Sequence, residues 1–342
     1  MRQGPLAGVK VVELGIWVAG PACGGVLADW GADVVKVEPP AGDPQRNVFG
    51  AIGVQEQKAV PPFEIDNRGK KSVVINLRSE EGMAQMMALL ETADIFITNL
   101  RFAALQRLGI DPPALRQKFP KLVYGIISGF GLEGPDAHRP GYDLGGYWAR
   151  SGAAHSLVPP GDTLATLRSG HGDHVTGMSL VAGVTAALFD AQRTGEGRMV
   201  STSLLRNGMY NIAWDIGVQL RFGKRESTRS RSNSRAPLIN SYVAGDGKGF
   251  WLLGLEAHRH WPALLATINS DELLVDKFAT TQLRLQNNVE LIALLDAFFA
   301  TKPLSEWTTL FDEHDVWWAP VNSIVDVILD PQARAAGGFV SM

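Results

Sequence analysis

Apolar residues in this chain fall into short continuous runs separated by stretches with helical spacing. "GVKVVEL" (8–14), "DVVKVEP" (33–39), "KSVVINL" (71–77), "DIFITNL" (94–100) and "KLVYGIISGF" (121–130) read as buried strands. The segments between them read as helices. "AGPACGGVLADWGA" (19–32) is small and apolar, with Pro21 suited to a first helical turn. "SEEGMAQMMALLETA" (79–93) has Ser79 as a cap, acids in the first turn, and Met and Leu at helical intervals. "AALQRLG" (103–109) is a short helix closed by Gly109. Alternating strands and helices predict a parallel sheet with helices on both faces. In such sheets ligands sit beyond the carboxyl ends of the strands.

The texture changes at "RFGKRESTRSRSNSRAP" (221–237), which is polar, rich in Ser and Arg, and without strand or helix period. It reads as a solvated linker. An RNA- or phosphate-binding role is the alternative, but the interleaved aromatics of a single-strand binder are missing. "INSYVAGDGKGFWLLGL" (239–255) then reads as a hairpin around a Gly/Asp turn. Helical stretches follow near 258–268, 285–300 and 303–313. The expectation is an α/β chain with a Rossmann-like large domain over 1–220, a linker over 221–237, and a smaller α+β domain over 238–342.

Composition narrows the function classes. The chain has 342 residues, is 45% hydrophobic and 20% charged, and carries a formal net charge of -3, so bulk attraction to nucleic acid is not expected. One cysteine, Cys23, excludes an internal disulfide framework and fits a reducing, cytoplasmic setting. The amino terminus has no long apolar core after a basic start, so no signal peptide is expected. The apolar run from Val175 to just before Asp190 is short for a membrane span and contains Thr176, Ser179 and Thr185. It reads as a helix buried inside a protein.

Two motifs invite a cofactor reading. "GFGLEG" (129–134) fits G-x-G-x-x-G after a strand, but Pro135, Pro140 and Gly141 follow where a helix must open, which disfavours a dinucleotide site. "HGDH" (171–174) offers two imidazoles and a carboxylate, yet no further ligand cluster accompanies it, so no metal is expected. Asp173 itself has two competing uses. It precedes a helical run and suits an N-cap. An accessible carboxylate beside helix-start N–H groups also suits a covalent nucleophile on an activated acyl group.

The ordered stretches "LAGVKVVELG", "AGPACGGVLADWGADVVKVEPPAGDPQR", "NRGKKSVVINLRSEEG", "ADIFITNLRFAALQRLGI", "ISGFGLEGP", "GYD", "GDHVTGMSLVAGVTAAL" and "RTGEGRMVSTSLL" resemble the class III coenzyme A transferases. That superfamily includes formyl-CoA transferase, carnitine CoA-transferase and alpha-methylacyl-CoA racemase. "PGYDLGGYWARSG" and "GDHVTGMSLVAG" are most similar to the branch acting on 2-hydroxy acids. The resemblance implies a CoA-transferase in which Asp173 carries the acyl group as an anhydride and then CoA as an aspartyl thioester. It implies CoA-binding positions at Ala19, Ile75, Arg78, Asn99, Leu100, Arg107 and Leu108. Substrate-binding positions are implied at Trp17, Val18, Tyr142, Asp143, Gly172 and His174, with Tyr147 and Trp148 as further candidates for an apolar acyl pocket.

The resemblance also implies an interlocked homodimer acting on acyl-CoA and carboxylic acids, with no metal, nucleic acid or membrane partner. Two alternatives stay open. A racemase would need an acid and a base on opposite sides of the alpha carbon. Tyr142 replaces the histidine of that branch, although His171 or His174 keeps the reading alive. A non-catalytic CoA-binding protein is the second, because members of the superfamily usually continue past "DPQARAAGGF". That tail crosses back to finish the large domain, and its loss is expected to expose apolar surface there.

Overall fold

The structure, a computed structural model, describes residues 4–54, 59–224 and 228–339. The chain forms two compact units, Met1–Val158 with Asp162–Glu226 and Pro159–Gly161 with Ser227–Met342.

The first unit is built on six parallel strands: β1 (Lys10–Leu14), β2 (Asp33–Glu38), β3 (Lys71–Val74), β4 (Ile95–Thr98), β5 (Val123–Ser128) and β6 (Met199–Ser203). Their order is β3-β2-β1-β4-β5-β6. β1, β4 and β5 are buried along nearly their whole length, as unbroken Val/Ile runs covered on both faces must be. The run "KSVVINL" yields only Lys71–Val74, because β3 is an exposed edge strand and Ile75 turns the chain toward the helix capped by Ser79. Ser79 accepts from the Gly82 N–H at 3.1 Å, and Gly109 closes the Phe102–Leu108 helix at φ 66°. No helix opens after Gly134, where the prolines hold the chain in turns.

The strand order reverses direction between β1 and β4, so the loops leaving these two strands diverge and open a crevice. The His171–Thr194 helix crosses β5 and β6 and packs on the Ala19–Asp29 helix, burying Leu180, Val181 and Val184 against the sheet. Its length and composition would suffice for a membrane span, but nearly half of its apolar window is buried within the chain.

The second unit contains β7 (Ile239–Val243), β8 (Gly249–Leu253) and β9 (Trp318–Pro320) in an antiparallel sheet, with the expected hairpin joining β7 to β8. Helices Ala257–Ile268, Asn288–Phe299 and Leu304–Glu313 pack around Tyr242, Phe250, Phe299, Trp307 and Phe311. The 221–237 stretch departs from the expected featureless linker. The Ala213–Phe222 helix runs into it, and Arg231–Asn233 form a 3-10 turn. Arg231 binds Asp296 with Nη1 to Oδ2 at 2.8 Å and lies over the Tyr242 ring, so one residue of an apparently solvated run has a fixed tertiary place. Residues 225–227 of that stretch are outside the described residues.

A buried ionic group ties β1, β2 and the following loops together. Lys36 Nζ reaches Glu13 Oε1 at 3.0 Å and Asp43 Oδ2 at 2.8 Å, and Lys70 Nζ reaches Glu13 Oε2 at 2.7 Å. Gly24 makes room for it: a Cβ there would lie 1.9 Å from Glu13 Oε2. Gly24→Ala should therefore lower stability by about 2–4 kcal/mol in urea unfolding. Gly217→Ala, in open space on the Ala213–Phe222 helix, should raise it by about 0.5–1 kcal/mol. Equal effects at both sites would contradict this packing.

Candidate active site

The cleft forms where the β1 and β4 loops part. Asn99, just after β4, pins the loop after β1 from both sides. Its Oδ1 accepts from the Ile16 N–H at 2.9 Å and its Nδ2 donates to the Ile16 carbonyl at 2.7 Å. The next residue, Trp17, has φ 62°, a left-handed conformation that costs a bulky side chain about 1–2 kcal/mol. Its N–H is secured by Asp43 Oδ1 at 3.1 Å. The Trp17 ring meets Tyr142 edge to face, centroids 6.3 Å apart, and both line the cleft.

The cleft has a volume of about 740 Å³. Trp17, Val18, Ala19, Asn99, Leu100, Arg107, Tyr142 and Asp173 line it, which brings together eight of the positions named from the sequence. Six fall elsewhere. Ile75 is buried in the core, its N–H bound to the Glu38 carbonyl at 2.9 Å. Leu108 packs against the same core, and Arg78 is exposed beside the Ser79 cap. Asp143, Gly172 and His174 are not on the lining. Tyr147 is core as well, and Trp148 donates Nε1–H to the Ala165 carbonyl at 2.9 Å.

Asp173 is not the helix cap. The helix begins at His171, its cap residue is Gly170 at φ 80°, and Asp173 stands at its third position. The capping role belongs to Asp143, 29 residues earlier in the chain, whose Oδ2 accepts from the Gly172 N–H at 3.3 Å. Asp143 is buried and its Oδ1 also accepts from its own neighbour, the Leu144 N–H. Gly172 packs directly on this group. A Cβ there would lie 2.6 Å from Tyr147 Cγ and 2.9 Å from Asp143 Cβ. Asp143 and Gly172, expected to touch substrate, instead build the platform beneath the helix start.

Among the described residues the Asp173 carboxylate accepts no hydrogen bond, which is unusual for a half-buried acid. Burial pushes its pKa up to about 7, with the nearby Asp143 carboxylate adding to the rise and His174 opposing it. His174 turns the other way: its Nε2 lies 2.9 Å from Oδ1 of the buried Asp66. That bond holds the imidazole above its ordinary range. Among the described residues no three His, Cys, Asp or Glu side chains gather to hold a metal ion.

Several lining residues went unnoticed in the sequence. Arg101, His138 and Arg139 join Arg107 on the cleft lining, Arg139 with its Nε bound to Asp136 Oδ1 at 2.8 Å. "NLRFAALQRLG" carried a signal for the first of these, since Arg101 immediately precedes the helix bearing Arg107. Nothing in the sequence linked Asp66 to His174, which are 108 positions apart.

Residues 6–342 match the family model for CoA-transferase family III, and the chain belongs to that family. It is a class III CoA-transferase. The chain is 36% identical to the (R)-2-hydroxy-4-methylpentanoate CoA-transferase of Clostridioides difficile, over 96% of this chain and 83% of the relative. It is 33% identical to the cinnamoyl-CoA:phenyllactate CoA-transferase of Clostridium sporogenes, over 96% and 81%. A CAIB/BAIF family protein from Brucella suis has a similar crystal structure, with TM-score 0.86 and 30% identity over 98% of this chain and 89% of that one.

The raised pKa of Asp173 has a thermodynamic consequence. An unfolded aspartate ionises near pH 4, so between about pH 4 and 7 the folded chain binds the extra proton. Stability contributed by the neutral acid is therefore lost as pH rises through that window. Asp173→Asn should gain on the parent by about 2 kcal/mol from pH 4 to pH 8, the cleft's water trimming the fully buried value. Denaturant unfolding across that range checks this, and a pH-independent difference would contradict it.

Proposed function

We propose that this enzyme moves CoA from an acyl-CoA thioester to a carboxylic acid, with Asp173 as the transient acyl and CoA carrier. The carrying observation is a carboxylate in the first turn of a helix, on a cleft wall, with no hydrogen-bond donor among the described residues. An Asp173 oxygen attacks the thioester carbon and CoA leaves as the thiolate, giving a mixed anhydride. The thiolate then attacks the aspartyl carbonyl, expelling the donor's carboxylate and leaving an aspartyl-CoA thioester. The acceptor carboxylate attacks this thioester and releases the thiolate again. Attack of the thiolate on the acceptor's acyl carbon frees Asp173 and completes the new acyl-CoA. The positive end of the helix dipole lies where negative charge develops on the attacked oxygens.

Arg101, Arg107, His138 and Arg139 suit the phosphates of CoA. The Trp17–Tyr142 pair suits an apolar acyl group, and the two hydroxyacid CoA-transferases support branched or aryl 2-hydroxy acids as substrates. His171 and His174, the bases a racemase would recruit, are both off the cleft lining, which favours transfer. A homodimer is part of the proposal. The consecutive helices Leu204–Asn211 and Ala213–Phe222 leave Tyr210, Trp214, Leu220 and Phe222 exposed, an apolar face suited to a second copy.

A screen of branched and aryl acyl-CoA donors against 2-hydroxy acids, read by mass spectrometry, should find exchange. Asp173→Ala should lose at least about a thousandfold of it. Hydroxylamine added during turnover should leave a hydroxamate on Asp173. Retained exchange in the variant refutes the carrier. Solvent deuterium entering the alpha carbon without an acceptor acid would select the racemase instead.

A further inference from the structure

Beneath the cleft, a line of buried polar side chains runs from the strands to the residue beside Asp173. Lys36 joins Glu13 and Asp43, and Lys70 joins Glu13. Asp43 Oδ1 accepts from the Gln45 N–H at 2.9 Å, and Gln45 Nε2 donates to Asp66 Oδ2 at 2.8 Å. Asp66 Oδ1 meets His174 Nε2 at 2.9 Å. Glu13, Lys36, Asp43, Gln45 and Asp66 are all buried, as is the Lys70 side chain.

The charges in this line do not balance within it. Glu13, Asp43 and Asp66 supply three negative charges, against two positive charges on Lys36 and Lys70. Glu38 contacts the group through the Asp43 N–H but has its own partner in Arg46. Arg68 follows the Pro61–Asn67 helix that bears Asp66, but it is bound to Asp29. A buried carboxylate strongly favours a cationic partner. The Asp66 charge also acts on Lys70, already counted, and its Oδ1 meets His174, which as an imidazolium brings the sum to zero. Its ring packs against Gly170, the residue that starts the helix, and its backbone follows directly on Asp173.

We infer that Asp66 and His174 are positioning residues for the transfer reaction: Asp66 holds His174 as an imidazolium, whose charge lowers the cost of ionising the adjacent Asp173. This rests on Asp173 being the carrier. Three charged groups act on the His174 ring, namely Asp66 and Arg68 across from it and Asp173 on its own helix. Asp66 and Asp143 repel the Asp173 charge, and His174 is the cation that offsets them. The arrangement places a positive charge beside the nucleophile without placing a donor on it, so the attacking oxygens keep their lone pairs free.

The test reads charge directly. In protein labelled with carbon-13 at aspartate Cγ, with Asp173→Asn to assign the signal, His174→Gln should raise the Asp173 midpoint by about half a pH unit or more. Asp66→Asn removes a repulsion on Asp173 as well as the histidine's anchor, so it is read on His174 instead, whose midpoint should fall by at least a similar amount. His174 is half exposed, so its variant keeps the protein folded even if the buried Asp66 variant does not. In exchange assays with 4-methylpentanoyl-CoA and 2-hydroxy-4-methylpentanoate, His174→Gln should lower kcat/KM about threefold near pH 6 and little near pH 9. A merely structural role would lower it equally at both. An unmoved Asp173 midpoint in His174→Gln, or a pH-independent loss of rate, overturns the inference. Retained exchange in Asp173→Ala overturns the carrier while leaving the measured midpoints to judge the charge coupling on their own.

Discussion

The site depends on one buried ammonium. Lys36, at 1% side-chain exposure, binds Glu13, Asp43 and the Gly15 carbonyl together. Burial alone would strip its proton, but the two carboxylates outweigh that and hold its pKa above the usual lysine range. This single group joins β2 to β1 and fixes Asp43, which in turn secures the N–H groups of Trp17 and Gln45. The left-handed turn at Trp17 persists because its surroundings over-determine it. Removing one partner from such a group costs about 3–5 kcal/mol, since the others are left buried and uncompensated. The turn that carries Trp17 into the cleft is therefore held by a stiff buried cluster.

Two aspartates divide the work at one helix start. Asp143 satisfies a backbone donor, and among the described residues Asp173 accepts no hydrogen bond. Burial disfavours the charge on Asp173, and the division adds to that penalty, because the capping carboxylate repels the free one. His174 supplies the opposing charge. In the proposed carrier role, burial of Asp173 suits an activated acyl group, and the His174 charge offsets part of the cost of ionising the carboxyl.

Much of the fold was legible in the residues. The Val/Ile runs of β1, β4 and β5 are unmistakable because central parallel strands are buried on both faces, whereas edge β3 lost half of its expected length because its side chains are exposed. Ser79 and Gly109 acted through local backbone chemistry, which sequence carries well. The residue that caps the 171–194 helix was not legible for the opposite reason. Asp173 lies in the right place along the chain, but the bond that matters comes from Asp143 across the fold. Arg231 was hidden in a polar run by a partner 65 positions away. At the cleft, positions in the loops after β1 and β4 line it as expected, while Ile75 and Leu108 fall into the core and the Asp66–His174 pair has no local trace.

The strand order also bears on how the chain assembles. β1 is a central strand, yet one of its two neighbours, β4, pairs Ile95 with Val11 across 84 positions, and β6 closes the far edge only at residues 199–203. Loop closure of that length must precede any pairing reward, so folding is expected to be slow. On the ribosome, β1 and β2 would emerge with unsatisfied backbone edges and a half-made ion cluster. The central placement of β1 that creates the crevice thus also makes assembly of the sheet non-local.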